Sequence, residues 1–190
     1  MSSHKMILLR YDELESTMKR ATVRKYLVGG DRRSIGRADE LAVLVAHRPA
    51  LLPELVQEMW SDDPVVAMRA ADVLEKVTRT QPQELQRFKK ELIGLAEETR
   101  QQELRWHLAA MIPRLELSPS ERQRATTILT QYLEDKSSIV KTFALQALFD
   151  LSVIHPSLRP QVEELLRAAV RSGTPAMKAR SRKLLGQMGK

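Results

Sequence analysis

The sequence of 190 residues carries a formal net charge of +7 at pH 7, with 43% apolar residues, 4% aromatic residues and no cysteine. This length suffices for one domain or one elongated array, but it is cramped for two independent domains. The absence of cysteine excludes disulfide frameworks, thiolate zinc sites and cysteine nucleophiles. No apolar run approaches the roughly 20 residues that span a bilayer, so we expect a cytoplasmic protein that does not bind membranes.

The positive charge lies at the two ends of the chain. Residues 1–37 carry nine Lys and Arg against four Asp and Glu, and residues 167–190 carry seven Lys and Arg with no acidic residue. Clustered cations attract polyanions, so a nucleic acid is one candidate partner of these basic ends. The alternative, which we favour, is that they keep the terminal faces of a repeat array in solvent.

The pattern of apolar residues sets the expected domain boundaries. Residues 1–33 are predicted to form a tail and a capping helix, because apolar residues recur among charged neighbours at Leu14, Met18, Ala21 and Leu27. Residues 34–190 show a longer repeating pattern. They are predicted to form the array that this helix caps.

A glycine-rich stretch from Gly29 to Gly36 joins these two regions. Its glycines and polar residues favour a flexible joint, in which Asp31 or Ser34 serves as the N-cap of the next helix. The alternative is that its backbone amides hold an anion at the start of that helix.

Prolines punctuate residues 34–190 at regular intervals. They stand 33, 37 and 37 residues apart, each at or next to the start of a helical pattern, at Pro49, Pro82, Pro119 and Pro156. Another helix precedes each proline, with apolar residues at offsets of three, seven and ten that share one helix face. Superposing these patterns gives a partial unit and four full units of two helices each, over residues 34–48, 49–80, 81–117, 118–155 and 156–190.

The turns between the predicted helices carry residues that start and stop helices. Asp63 offers a carboxylate N-cap directly before Pro64, whose missing N–H costs nothing at the first helical position. Ser118 and Glu121 stand at the spacing of a capping box. Pro113 inside a helical pattern predicts a kink or an early end. No segment alternates as a strand does, so the sequence predicts only helices.

Two stretches of the repeating pattern resemble the HEAT-repeat family of α-solenoids. Asp62 to Leu74 has the family's turn with aspartate and proline, followed by Val, Arg and Ala-Ala, and Lys136 to Leu148 is a second copy. The resemblance covers residues 34–188. It implies an all-α fold, a right-handed α-α superhelix of about four HEAT-type helical pairs plus an N-terminal partial repeat. Such proteins are mostly scaffolds and adaptors.

The resemblance also implies which side chains meet a partner, because the second helices of such arrays line the inner, concave surface. Arg105, Lys141 and Lys178 occupy one equivalent position on successive second helices. The predicted partner-binding residues are Arg69, Arg105, Trp106, Lys141, Lys178 and Arg182. The alternative, which we favour for the cations, is that they pair with carboxylates of turns or neighbouring repeats. The candidate carboxylates are Asp62, Asp63, Glu103 and Asp135.

Trp60 and Trp106 are the two tryptophans of the chain. Trp106 follows Arg105 at a position where other units carry Met, Thr or Ala, so it is a candidate for an exposed recognition anchor on the inner groove. The alternative that Trp106 packs in the core stays open. Trp60 ends a first helix and is expected to pack at a junction between repeats.

No motif for catalysis, metal binding or cofactor binding emerges from the sequence. Its four histidines are isolated, and no nucleophile elbow, Walker loop or dinucleotide-binding glycine pattern occurs. We therefore predict a non-catalytic protein-binding scaffold or adaptor with no metal and no small-molecule cofactor. The alternative is nucleic-acid binding, resembling the HEAT-like alkylpurine DNA glycosylases. A chromophore lyase similar to the HEAT-like phycobilin lyases has only the fold in its favour.

Overall fold

A computed structural model describes residues 15, 17–30 and 34–189 of the chain. These residues form helices joined by turns, with no strand among them, so the predicted all-α class is confirmed. Their contacts divide the chain into two compact units on either side of the Glu84–Leu85 peptide bond. None of the helices formed by these residues has the length and apolar composition of a membrane-spanning segment.

The helix starts coincide with the regularly spaced prolines of the sequence. The first unit contains α1 over residues 17–27, α2 (Ala38–His47), α3 (Leu52–Glu58) and α4 (Pro64–Thr78). The second contains α5 (Lys89–Glu98), α6 (Gln102–Met111), α7 (Pro119–Tyr132), α8 (Ser138–Ile154), α9 (Arg159–Ser172) and α10 (Pro175–Met188). Short 3-10 helices cover Pro49–Leu51, Pro82–Phe88, Ile112–Arg114 and Pro156–Leu158. Each of the four predicted prolines therefore begins a helix, where its fixed φ is already suitable.

Helix starts are stabilised by the capping residues that the sequence indicates. The Asp63 carboxylate accepts a hydrogen bond from the Val65 N–H at 2.9 Å. Ser118 and Glu121 form a reciprocal capping box at the start of α7. Pro113 lies in the 3-10 turn after α6, so the predicted early end of that helix is confirmed.

The helices α2 and α3 pack against α4 in the first unit. The adjoining α1 buries Val23 and Leu27, and its Arg20 and Arg24 both bind the Glu58 carboxylate on α3. These four side chains lie on one side of α1. Among the predicted apolar positions of this helix, Leu27 is therefore confirmed as buried, whereas Met18 and Ala21 are exposed and that part of the prediction is wrong. Leu14 lies outside the described residues.

The central helix of the second unit is α8. It packs against α6 and α10, and it also contacts α7 and α9. Within the unit α5 contacts α6, α7 contacts α8, and α9 contacts α10. Each first helix is thus paired with the second helix that follows it, and the three second helices contact one another in sequence order. This arrangement leaves one side of α8 exposed.

Candidate functional site

Arg69 is buried in the first unit, with 1% of its surface exposed. Its guanidinium donates hydrogen bonds to the backbone carbonyls of Leu27 at 2.7 Å and of Ser34 at 3.0 Å, and to that of Gly29. The expectation that Arg69 presents charge to a partner is therefore wrong. Its charge is satisfied by carbonyl oxygens inside the protein.

The glycine-rich stretch from Gly29 to Gly36 lies against the Arg69 guanidinium. Gly36 has φ +56°, and a Cβ atom there would lie 3.0 Å from the Arg69 Cζ. The stretch turns carbonyl oxygens toward a cation, which is the opposite of the amide nest that an anion needs. Ser34 accepts a hydrogen bond from the Gly36 N–H and does not cap α2, whose N-cap is Arg37. The other predicted cap, Asp31, lies outside the described residues.

Arg105 is held by groups of its own unit. It forms an ion pair with Asp135, donates to the Thr99 carbonyl at 2.9 Å and lies 5.1 Å from the centre of the Tyr132 ring. The side chains of Arg105 and Asp135 are only 14% and 9% exposed. This is the carboxylate pairing that the sequence favoured for the cations. Arg105 therefore links two turns and has little surface left for a partner.

The remaining predicted cations do not form one surface. Lys141 and Lys178 are half-buried and Arg182 is exposed, and none of the three belongs to the ion pairs found among the described residues. Lys141 lines a cavity of about 280 Å³ beside α9. When Lys178 is superposed on Lys141, Arg182 corresponds to Leu145, which lines the same cavity and is buried. The equivalent position occupied by Lys141 and Lys178 therefore faces the turns and the next helix pair, away from the open side of α8.

The open side of α8 carries large apolar side chains. Ile139, Phe143, Val153 and Ile154 are between 40% and 64% exposed, and Gln146 and Asp150 lie between them. At about 100° per residue, all six project within roughly a third of the helix circumference. We call this set the α8 stripe. It was missed from the sequence, although its apolar residues fall outside the repeating core positions.

The α8 stripe is connected to α10 through a chain of hydrogen bonds. Arg180 on α10 donates to the Gln146 Oε1 at 2.8 Å, and the Gln146 amide donates to Asp150 at 2.8 Å. Burial raises the pKa of Asp150, while the hydrogen bond from Gln146 and the charges of Arg180 and Arg114 oppose that shift. Arg180 is thereby fixed about one helical turn from Phe143.

The α10 side of the α8 stripe carries two cations, Arg180 and Lys183. The sequence of α10 contains Lys178, Arg180, Arg182 and Lys183 and no acidic residue. Lys183 is exposed and lies on the same face of α10 as Arg180. An apolar surface on α8 is therefore bordered by cations that α10 itself does not neutralise.

The tryptophans are placed differently from each other. Trp106 on α6 is half-buried, and its ring centre lies 5.7 Å from that of His107. Trp106 directly follows Arg105, which is superposed on Lys141. The position of Trp106 therefore corresponds to that of Thr142, which directly precedes Phe143 on α8. Trp60 is 43% exposed, so the expectation that it packs at a junction between repeats is wrong.

Within residues 15, 17–30 and 34–189, no group of three or more His, Asp or Glu side chains could hold a metal ion. No protein-family model, curated protein or solved structure matches the chain. The candidate site is therefore identified from its geometry alone. It consists of the α8 stripe with Arg180 and Lys183 at its edge.

Proposed function

We propose that the chain is a non-catalytic scaffold of HEAT type that binds a protein through the open side of its second helices. The observation that carries this proposal is the α8 stripe, on which four large apolar side chains are exposed on one helix face. Single exposed apolar residues are normal on a protein surface, but here two pairs, Ile139 with Phe143 and Val153 with Ile154, lie on one helix face at either end of Gln146 and Asp150. Grouped apolar residues rimmed by polar ones mark an interaction surface. The helix pairing within the second unit supports the repeat architecture.

A protein partner suits this surface better than a nucleic acid. Ile139, Val153 and Ile154 are branched aliphatic residues, which pack against side chains and offer no flat face for base stacking. The cytoplasmic setting is part of the proposal, and the cysteine-free sequence is compatible with its reducing conditions.

Site-specific photocrosslinking in cells that express the chain tests this function. A photoreactive phenylalanine analogue at Phe143 should form adducts with a protein, whereas the same analogue at exposed Gln161 on α9 should not. The protein from the adduct is then purified, and its affinity for the unmodified chain is compared with that for Phe143→Ser. We expect a loss of affinity of roughly tenfold or more. Adducts that are equal at both positions, or absent at Phe143, contradict the proposal.

A further inference from the structure

The surface around Phe143 consists of two adjacent strips, one with apolar side chains and one with basic side chains. The first strip is the α8 stripe, which extends from Ile139 to Ile154 and is on the order of 22 Å long. The second strip lies on α10, where Arg180 and Lys183 project from the same face. A partner that covers both strips must supply apolar side chains to one and negative charge to the other.

The positive strip is not neutralised by its own helix. On the neighbouring first helices, two exposed cations have carboxylate partners, in the pairs Arg124–Glu97 and Arg167–Glu163. On α10 no acidic residue is present, and Arg180 is instead oriented by a neutral amide oxygen of Gln146. The guanidinium is held in place and belongs to no ion pair found among the described residues, although its charge acts on the Asp150 carboxylate. A guanidinium held in this way can form a charge-assisted contact with an incoming carboxylate.

The position of Asp150 sets a direction along the surface. Its carboxylate accepts a hydrogen bond from the Gln146 amide, and Arg180 donates to the same Gln146 side chain, so Arg180 lies close to Asp150. Ile139 and Phe143 precede Gln146 on α8, and no acidic residue of the α8 stripe lies among them. The negative charge of a partner is therefore favoured on the Phe143 side of Arg180.

From this geometry we infer that the α8 stripe and α10 dock an acidic amphipathic segment of a partner protein. This inference rests on the proposed function and names the chemistry of the partner. Large apolar side chains of the segment pack on Ile139 and Phe143, and its Asp or Glu residues pair with Arg180 and Lys183. The charge complementarity accelerates and orients the encounter, while the aromatic contact supplies most of the affinity.

The inference is tested with synthetic peptides of about 18 residues, or five helical turns. The first peptide has Leu at every third or fourth position and Glu or Asp elsewhere. In the second peptide Ser replaces Leu, and in the third Lys replaces the acidic residues. Fluorescence anisotropy should show binding of the first peptide, a loss of roughly tenfold or more for the second and no binding of the third. The affinity should also fall as salt is raised.

Variants locate the binding surface. Phe143→Ser and Arg180→Glu should each weaken the first peptide by roughly tenfold or more. The controls are Val43→Ser, an exposed apolar residue on α2, and Arg171→Glu, an exposed cation on α9. Both should leave the affinity unchanged, and circular dichroism should show that all four variants are folded.

Three results overturn the inference. They are equal binding of the acidic and lysine peptides, no effect of Arg180→Glu, and a labelled single-stranded or duplex DNA that displaces the acidic peptide. If the peptides fail while a protein is crosslinked at Phe143, the proposed function stands and the partner chemistry is wrong. If both fail, the proposed function is wrong as well.

Discussion

The Arg69 guanidinium donates a hydrogen bond to the Leu27 carbonyl at 2.7 Å, across a sequence separation of 42 residues. Its other bonds reach the carbonyls of Gly29 and Ser34, so one side chain fastens the segment between α1 and α2 to α4. Arg69→Ala leaves these three acceptors without their donor and removes a buried side chain. We expect it to lower the free energy of unfolding by about 3 kcal/mol or more, measured by urea denaturation.

Arg182→Ala is the matched control for this prediction. Arg182 is exposed, so its removal should change the free energy of unfolding by less than about 0.5 kcal/mol. Similar losses in the two variants would contradict the buried role of Arg69.

Two glycine substitutions should act in opposite directions. Gly36→Ala adds a methyl group at φ +56°, 3.0 Å from the Arg69 Cζ, and should destabilise the protein by about 1–2 kcal/mol. Gly186→Ala lies in α10 with no atom within 4 Å of the added Cβ, and should stabilise it by about 0.5–1 kcal/mol. Thermal unfolding of both variants measures the signs. A Gly36→Ala protein as stable as the unmodified chain would show that the close approach of Gly36 to Arg69 is not needed.

The ion pair of Arg105 and Asp135 should be much stronger than an ordinary surface pair. Both partners are largely buried, whereas Arg124 and Glu97 are about half-exposed and are screened by water. Double-mutant cycles with alanine should give a coupling of about 1–3 kcal/mol for the first pair and about 0.2–1 kcal/mol for the second. Equal couplings would count against the structural role of Arg105.

Acid should weaken the contact between α5 and the start of α7. The hydrogen bond from Lys89, together with bonds from Ser118, lowers the pKa of Glu121 from 4.5 to about 2. This stabilisation is present above pH 4.5 and is lost as the pH falls toward 2. The Glu121 carboxylate is then protonated in the folded state, so its favourable interaction with Lys89 and Ser118 is lost. Glu121→Gln should therefore be less stable than the unmodified chain at pH 6.

The measurement is the difference in unfolding free energy between the two proteins from pH 6 to pH 2. This difference should shrink steadily over the window, since the unmodified chain becomes protonated at the same position. Glu164→Gln, at an exposed site on α9, serves as the control and should show no such trend. A difference that stays constant with pH would mean that the Glu121 charge is not what stabilises the contact.

The sequence by itself determined the helices and where they begin. Pro49, Pro119 and Pro156 start helices because a proline fixes its own φ, and Asp63 and Ser118 cap helices because their oxygens reach an N–H two or three residues away. These causes act within one turn of the chain. The all-helical class could therefore be predicted before any tertiary contact was known.

Only the tertiary structure decided which side chains are available to a partner. Arg69, Arg105 and Arg182 look alike as cations on second helices, yet one is buried among carbonyls, one is paired and one is exposed. Conversely, Phe143 is a large apolar residue that lies at the surface. Burial depends on which distant helix packs against each side of a given helix. Helical periodicity cannot supply this information, because it fixes the faces of a helix but not their neighbours.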